Sequence, residues 1–312
     1  MKNMYFLNRV PLKNVLLIST ISISYLVLMF ILVGYKSDQL ILVALFNVLY
    51  YLSQNTRKFI IGYSVFIVFW IIFDSMKAFP NYNFNKIHIE DLYNLEKNIF
   101  GIKTQSNLLV TPNEFAAINA NRFLDFLSGL FYINWVPVPL FMAFYLFYSD
   151  KKEFLNFSLT FLLVNLIGST IYYTFPASPP WYVKEYGFNL KFNTPGNAAG
   201  LLRFDNLLNI NLFKSLYSKS SNVFAAMPSL HSAYPVVTLF YGIKNNLGKV
   251  NILLVVFMLG IWFSAIYSGH HYILDVITGV LCAIIGIFLY INIFANRSWF
   301  RSFLFKYVKL IT

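Results

Sequence analysis

Residues 250–268, VNILLVVFMLGIWFSAIYS, carry no charged side chain. About 20 such residues in one helix cross a bilayer, because a helix satisfies every backbone N–H and C=O within the segment. Comparable apolar runs fall at 16–34, 38–52, 59–79, 124–148, 155–175, 230–242 and 272–295. They are continuous, whereas lipid-facing barrel strands alternate apolar with polar residues over about 10 positions. Only 12% of the chain is charged, against about 25% in soluble domains. The expected fold class is therefore all-α: a polytopic transmembrane helical bundle of about eight spans. Six or seven spans are the alternatives, because 38–52 and 230–242 are short. No repeat or low-complexity tract divides the chain, so 1–312 reads as a single integral membrane domain. The basic start runs into its first apolar stretch without a small-residue cleavage site and reads as a retained span.

The charges give an orientation. With the N-terminus in the cytoplasm, segments on that side hold Lys2, Arg9, Lys13, Arg57, Lys58, Lys151, Lys152, Lys244, Lys249, Arg297, Arg301, Lys306 and Lys309. Against these 13 basic residues stand two acids, Asp150 and Glu153, while the other side holds 11 basic and 10 acidic residues. Basic residues favour cytoplasmic loops, so the long segments 80–123 and 176–229 are expected outside the cytoplasm. Within the first, IHIEDLYNLEKNIFGI (87–102) has apolar residues every three or four positions and reads as a short interfacial helix. The net charge of +12 is scattered between spans, without a basic domain for nucleic acid. Cys282 is the only cysteine, which excludes an intramolecular disulfide and a cysteine metal cluster.

Two polar spots interrupt the apolar pattern, FAAMPSLHSAYP (224–235) and SGHHYILD (268–275). In the second, His271 and Asp275 are four apart, the spacing that shares a helix face. The aspartate would orient the imidazole and leave its other nitrogen free, the pattern of an activated base or nucleophile. His270 competes for this role but has Leu274 at the matching position. In the first spot, Ser229 suits a helix N-cap, placing His231 in the first turn beside a potential anion site. A histidine there exchanges protons with an attacking or departing oxygen. The turn at 243–249 sends the next helix back, delivering both histidine spots to one side of the membrane. Three histidines and an aspartate could hold zinc, but no HExxH or paired-cysteine spacing accompanies them. A transporter would place such polar residues at the midplane instead.

MPSLHS (227–232) and SAIYSGHHYILD (264–275) resemble the second and third signatures of the type 2 phosphatidic acid phosphatase (PAP2) superfamily. FPASPPWYVKEYG (175–187), PGNAAGLLRFDNLL (195–208) and DSMKAFPNYNFNKIHIEDLY (74–93) look like segments of its inositol phosphorylceramide synthase branch. The likeness covers roughly 70–310. It implies a six-helix catalytic core at about 120–295 and chemistry through a phosphohistidine, with no cofactor. His271 would be the nucleophile, His231 the acid and base, and Asp275 the orienter. Ser229, His270 and Trp181 would contribute to substrate or phosphate binding. The implied donor is phosphatidylinositol and the implied acceptor ceramide, with diacylglycerol released. A lipid phosphate phosphatase, or a transferase with another donor or acceptor, is the alternative. The sequence departs from the phosphatase pattern at Ala265, where that signature has an arginine, and the first signature is unrecognisable. Lys184 and Arg203 are then the candidates for meeting phosphate charge. The AT-rich residue usage and compact length point to a bacterial inner membrane, or to a Golgi membrane in a eukaryote, with the site on the non-cytoplasmic side.

Overall fold

The computed structural model describes residues 10–218 and 222–312; Lys2 and Arg9 of the charge pattern lie outside them. Among the described residues the chain is a helical bundle. Its first layer is α1 (Leu12–Val33), α2 (Ser37–Leu52) and α3 (Gln54–Ser75). α1 ends at Gly34, whose φ of +82° turns the chain in a region open to glycine. α3 starts in a reciprocal cap, with Ser53 Oγ accepting the Thr56 amide at 3.1 Å and Thr56 Oγ1 accepting the Ser53 amide at 3.0 Å. The short helices α4 (Glu90–Phe100) and α5 (Pro112–Ile118) follow, then α6 (Arg122–Tyr132), α7 (Pro137–Ser149) and α8 (Lys151–Thr174). Three further short helices, α9 (Pro180–Tyr186), α10 (Leu202–Leu208) and α11 (Leu212–Tyr217), lead to the second half of the bundle. That half is α12 (Leu230–Lys244), α13 (Val250–Tyr267) and α14 (Ile273–Leu289), and α15 (Ser298–Ile311) ends the chain.

Among the described residues, six helical segments are long and apolar enough to cross a membrane: Leu12–Val33, Gln54–Ala78, Arg122–Ser149, Lys151–Thr174, Val250–Tyr267 and Ile273–Phe294. The two short expected spans are helices as well. α12 is only 15 residues long because it lies inside the bundle, packed by α13, α14 and α8. One expected span is broken in its middle. The run at 124–148 is not one helix but α6 and α7, joined by a 3₁₀ turn at Ile133–Trp135. Pro137 lacks the amide that would continue the hydrogen-bond ladder, so a new helix starts there. Among the described residues, one small hairpin accompanies the helices, Ile102–Lys103 against Leu109–Val110, closed by Asn107 at φ 59°.

The core between α7, α8 and α12 is aromatic: Phe147, Phe154, Phe157, Phe161, Tyr234 and Tyr241 are buried together. Close packing supplies the cohesion, since lipid removes the solvent contrast that drives burial in water. Over one end of the bundle, polar bonds tie the connecting segments into a layer. Buried Asn81 donates to the carbonyls of Tyr172 and Phe224, both at 2.8 Å. The Ala177 amide donates to Phe224 and its carbonyl receives the Ala226 amide, at 3.0 and 3.2 Å. These bonds fix the approach to α12.

Gly279 sets how closely α14 meets that approach. A Cβ there would stand 2.0 Å from the Ser229 carbonyl oxygen, a backbone atom with no room to yield. Gly279→Ala is therefore expected to push α12 away from α14. Overpacking of this kind costs about 1–3 kcal/mol. The purified variant should melt at a lower temperature in detergent and lose activity in parallel; an unchanged melting temperature would contradict the packing described.

Candidate active site

α12 starts after Pro228, where Ser229 Oγ accepts the Ser232 amide at 3.3 Å and caps the helix. The cap places His231 in the first turn, half-buried, with Trp135 edge-on to its ring at 4.4 Å between centroids. Opposite, α13 ends at Tyr267 and α14 begins at Ile273, leaving a tight loop between them. Gly269 turns it with a φ of +74°. The amides of His270 and His271 both donate to the Ala265 carbonyl, at 3.1 and 3.0 Å. The loop thereby brings His271 Nε2 to 3.0 Å from His231 Nδ1.

His271 and Asp275 do not share a helical turn as their spacing predicts, because His271 precedes α14. Asp275 reaches back instead. Its Oδ2 accepts the Tyr272 amide at 2.8 Å and lies 3.5 Å from His271 Nδ1. The carboxylate is fully buried, and the Asp275 carbonyl receives the Ser229 amide at 2.8 Å. The two histidine segments are thus bonded to each other directly. Burial pushes the His271 imidazole down to about 4, with the Ala226 carbonyl opposing that shift. At neutral pH the ring is uncharged, and a proton on Nδ1, facing Asp275, leaves a lone pair on Nε2.

His270 faces elsewhere. Its Nε2–H donates to the Ala198 carbonyl at 3.0 Å. Its ring is stacked between Tyr217 and Tyr132, with centroids at 4.3 and 5.6 Å. Burial, and then the neighbouring His271, hold it well below the usual histidine range. The structure therefore gives His270 a place in holding the 198–200 segment, and gives His271 the contact with His231.

Three neighbours of the histidines carry no sequence signal of their own. Tyr132 places its hydroxyl 3.2 Å from His231 Nδ1, and the Tyr217 hydroxyl donates to it at 3.3 Å. Among 22 tyrosines nothing marks these two in advance. Asn113 Nδ2 donates to the carbonyls of Ile266 and His271, at 2.7 and 2.8 Å, clamping the loop from α5. Tyr132→Phe should remove one hydrogen bond from His231 and keep the ring packing. A net bond of about 1–1.5 kcal/mol corresponds to roughly a tenfold fall in kcat. Full activity in steady-state assays of Tyr132→Phe would remove the hydroxyl from the site.

Trp181, Lys184 and Arg203 do converge, but not on the histidines. They line a cavity of about 210 Å³ together with Ser268, Gly269 and Tyr272, which no histidine lines. It lies behind the loop, against Ser268, Gly269 and Tyr272, and the Trp181 amide donates to the Gly269 carbonyl at 3.0 Å. Arg203 is already engaged: its Nε donates to Asp125 at 2.5 Å, and its guanidinium lies 5.0 Å from the Tyr267 ring centroid. Ala265 is fully buried in an apolar cluster with Tyr132, Leu201, Phe204 and Phe213. The position of the phosphatase arginine is thus filled by hydrocarbon.

An imidazole, a second imidazole 3.0 Å away and a buried carboxylate 3.5 Å behind the first form the kind of set that nucleophilic and acid–base catalysis uses. The set lies where α12 and α14 begin, at one end of the helical bundle. The model of the PAP2 superfamily matches residues 102–289, and the chain belongs to that superfamily. It is 43% identical over 305 residues to the phosphoinositol dihydroceramide synthase of Bacteroides thetaiotaomicron, covering 96% of this chain and 98% of that protein. It is 30% identical over 249 residues to the inositol phosphorylceramide synthase catalytic subunit of Saccharomyces cerevisiae, covering 75% of this chain and 59% of that one. The corresponding Schizosaccharomyces pombe subunit is 28% identical over 239 residues, covering 74% and 53%. No solved structure matches the chain.

Proposed function

We propose that this protein moves phosphoinositol from phosphatidylinositol to the hydroxyl of a ceramide or dihydroceramide and releases diacylglycerol. The observation that carries this reading is the 43% identity, over nearly the whole of both chains, to a phosphoinositol dihydroceramide synthase. The apolar surroundings of Ala265 support it. A phosphate monoester carries close to two charges and rewards a bidentate arginine, whereas a diester carries one.

In the proposed reaction, His271 Nε2 attacks phosphorus and the bond to the glycerol oxygen breaks. Beside the negative charge of the bound phosphate His231 holds a proton, which it gives to that oxygen, and diacylglycerol leaves. Asp275 faces the Nδ1–H of His271 and stabilises the positive ring of the phosphohistidine. Neutral His231 then takes the proton of the acceptor hydroxyl, whose oxygen attacks phosphorus as the P–N bond breaks. The amides at the start of α12 face the phosphate, and Lys184 supplies positive charge from the cavity behind the loop, where Arg203 is paired with Asp125. The histidine end is proposed to face away from the cytoplasm, following the basic residues of the opposite loops.

The test incubates purified protein in mixed micelles with ring-labelled phosphatidylinositol, with and without ceramide or dihydroceramide. Labelled sphingolipid should form, and diacylglycerol release should depend on acceptor. Water-soluble inositol phosphate as the sole labelled product would overturn the transferase reading in favour of hydrolysis.

A further inference from the structure

Glu96 on α4 is a carboxylate with no exposed surface, lying outside the histidine and aspartate set. Its two oxygens accept the leading amides of α14, Oε1 from Ile273 at 2.9 Å and Oε2 from Leu274 at 3.2 Å. α14 has no side-chain cap from its own N-cap residue, Tyr272. A helix start leaves amides without partners and attracts negative charge, so a buried carboxylate from another segment answers both needs. The amides it binds belong to the two residues between the Tyr272 amide, which Asp275 holds, and Asp275 itself. Moving Glu96 therefore moves the turn that aims Asp275 at His271.

We propose that Glu96 is a positioning residue: by binding the first turn of α14 it sets the relation of Asp275 to His271. This rests on the assignment of His271 and Asp275 to catalysis made above. The groups facing Glu96 come from three elements. Asp275 on α14 repels its charge. Tyr272, just before α14, interacts with Glu96, Asp275, Glu114 and Tyr93. On its own helix Tyr93 donates to Glu114 Oε1 of α5 at 3.0 Å and receives a bond from Lys97 at 3.4 Å. Burial pushes the Glu96 carboxyl up to about 7; the two amides oppose the rise and Asp275 adds to it. The sign follows directly. Below that value Glu96 is protonated and gives up an acceptor site; above it the full carboxylate holds both amides. Turnover should thus rise with pH through about 7, separately from the titration of His271 at about 4.

The experiment compares wild type, Glu96→Ala, Glu96→Gln and His271→Ala with phosphatidylinositol and ceramide, per folded molecule, across pH 5 to 9. Misplacement near 1 Å costs about 10²-fold in rate. Glu96→Ala should lower kcat by about that factor with KM for the donor little changed. Glu96→Gln keeps one acceptor oxygen and cannot ionise, so kcat should recover to within about tenfold and the rise near pH 7 should vanish. Should the alanine variant not fold, the Glu96→Gln profile decides. Wild-type kcat in Glu96→Ala, a rise near pH 7 retained in Glu96→Gln, or losses that match only the amount of folded protein would each overturn the proposal. An active His271→Ala would instead overturn the site assignment beneath it.

Discussion

Replacing His271 with alanine is expected to abolish turnover, by about 10⁴-fold or more, while leaving the protein folded. His271 Nε2 is the imidazole nitrogen that meets His231 Nδ1, at 3.0 Å. Its ring is uncharged at neutral pH because burial holds its titration near 4. Losing it removes the bond-forming atom, and effects of this size attend removal of a nucleophile in other covalent catalysts. Its ring makes no stacking contact comparable to that of His270 between Tyr132 and Tyr217, so the fold should survive. His270→Ala should disturb the loop through the lost Ala198 bond but keep measurable turnover. Both variants are compared by diacylglycerol release and by thermal melting. An inactive His270→Ala beside an active His271→Ala would exchange the two roles.

Asp275→Asn should cost nearly as much, with an almost unchanged shape. Oδ2 is the atom that both accepts the Tyr272 amide, at 2.8 Å, and lies 3.5 Å from His271 Nδ1. An amide oxygen in that place keeps the Tyr272 bond but brings no charge to stabilise the positive ring of the phosphohistidine, and an NH₂ there loses the Tyr272 bond and faces Nδ1 with a donor. The same change behind a triad histidine costs about 10⁴-fold. The loss should fall in kcat, with KM for the donor within a few-fold, since Asp275 is buried behind the reacting ring. Activity within tenfold of wild type in steady-state assays would show that the 3.5 Å contact does not govern the tautomer.

The transmembrane helices were legible because each is a continuous apolar run; the short α12 is mostly buried against α8, α13 and α14, with Ile243 and Lys244 exposed at its end. The break between α6 and α7 was also written in the chain, in Pro137 and Pro139, yet the unbroken hydropathy of 124–148 hid it. At the site, Ser229 as a cap and the meeting of His231 with His271 follow from residue type and helix order. The 269–272 loop does not: the helix start shifted past His271, so Asp275 reaches it backwards and not along a shared face. Tyr132 and Tyr217 are tyrosines in a tyrosine-rich chain, and only tertiary placement distinguishes them. Glu96 had a faint signal. It follows Leu92 by four residues, on the buried stripe of an amphipathic helix, where an acid needs a partner from elsewhere. Lys184, Arg203 and Trp181 share a cavity because the segments around 181–185 and 197–203 both dock on the histidine loop, which spacing along the chain does not reveal.

Trapping the covalent intermediate tests the central claim most directly. Purified protein is mixed with phosphatidylinositol without acceptor, quenched at alkaline pH to preserve phosphoramidate, and mapped by peptide mass. The account predicts a burst of diacylglycerol stoichiometric with enzyme and a phosphoinositol adduct on His271, discharged when ceramide or dihydroceramide is added before the quench. An adduct on His231 or His270, or an acceptor-dependent product formed with no adduct on any histidine, would contradict it.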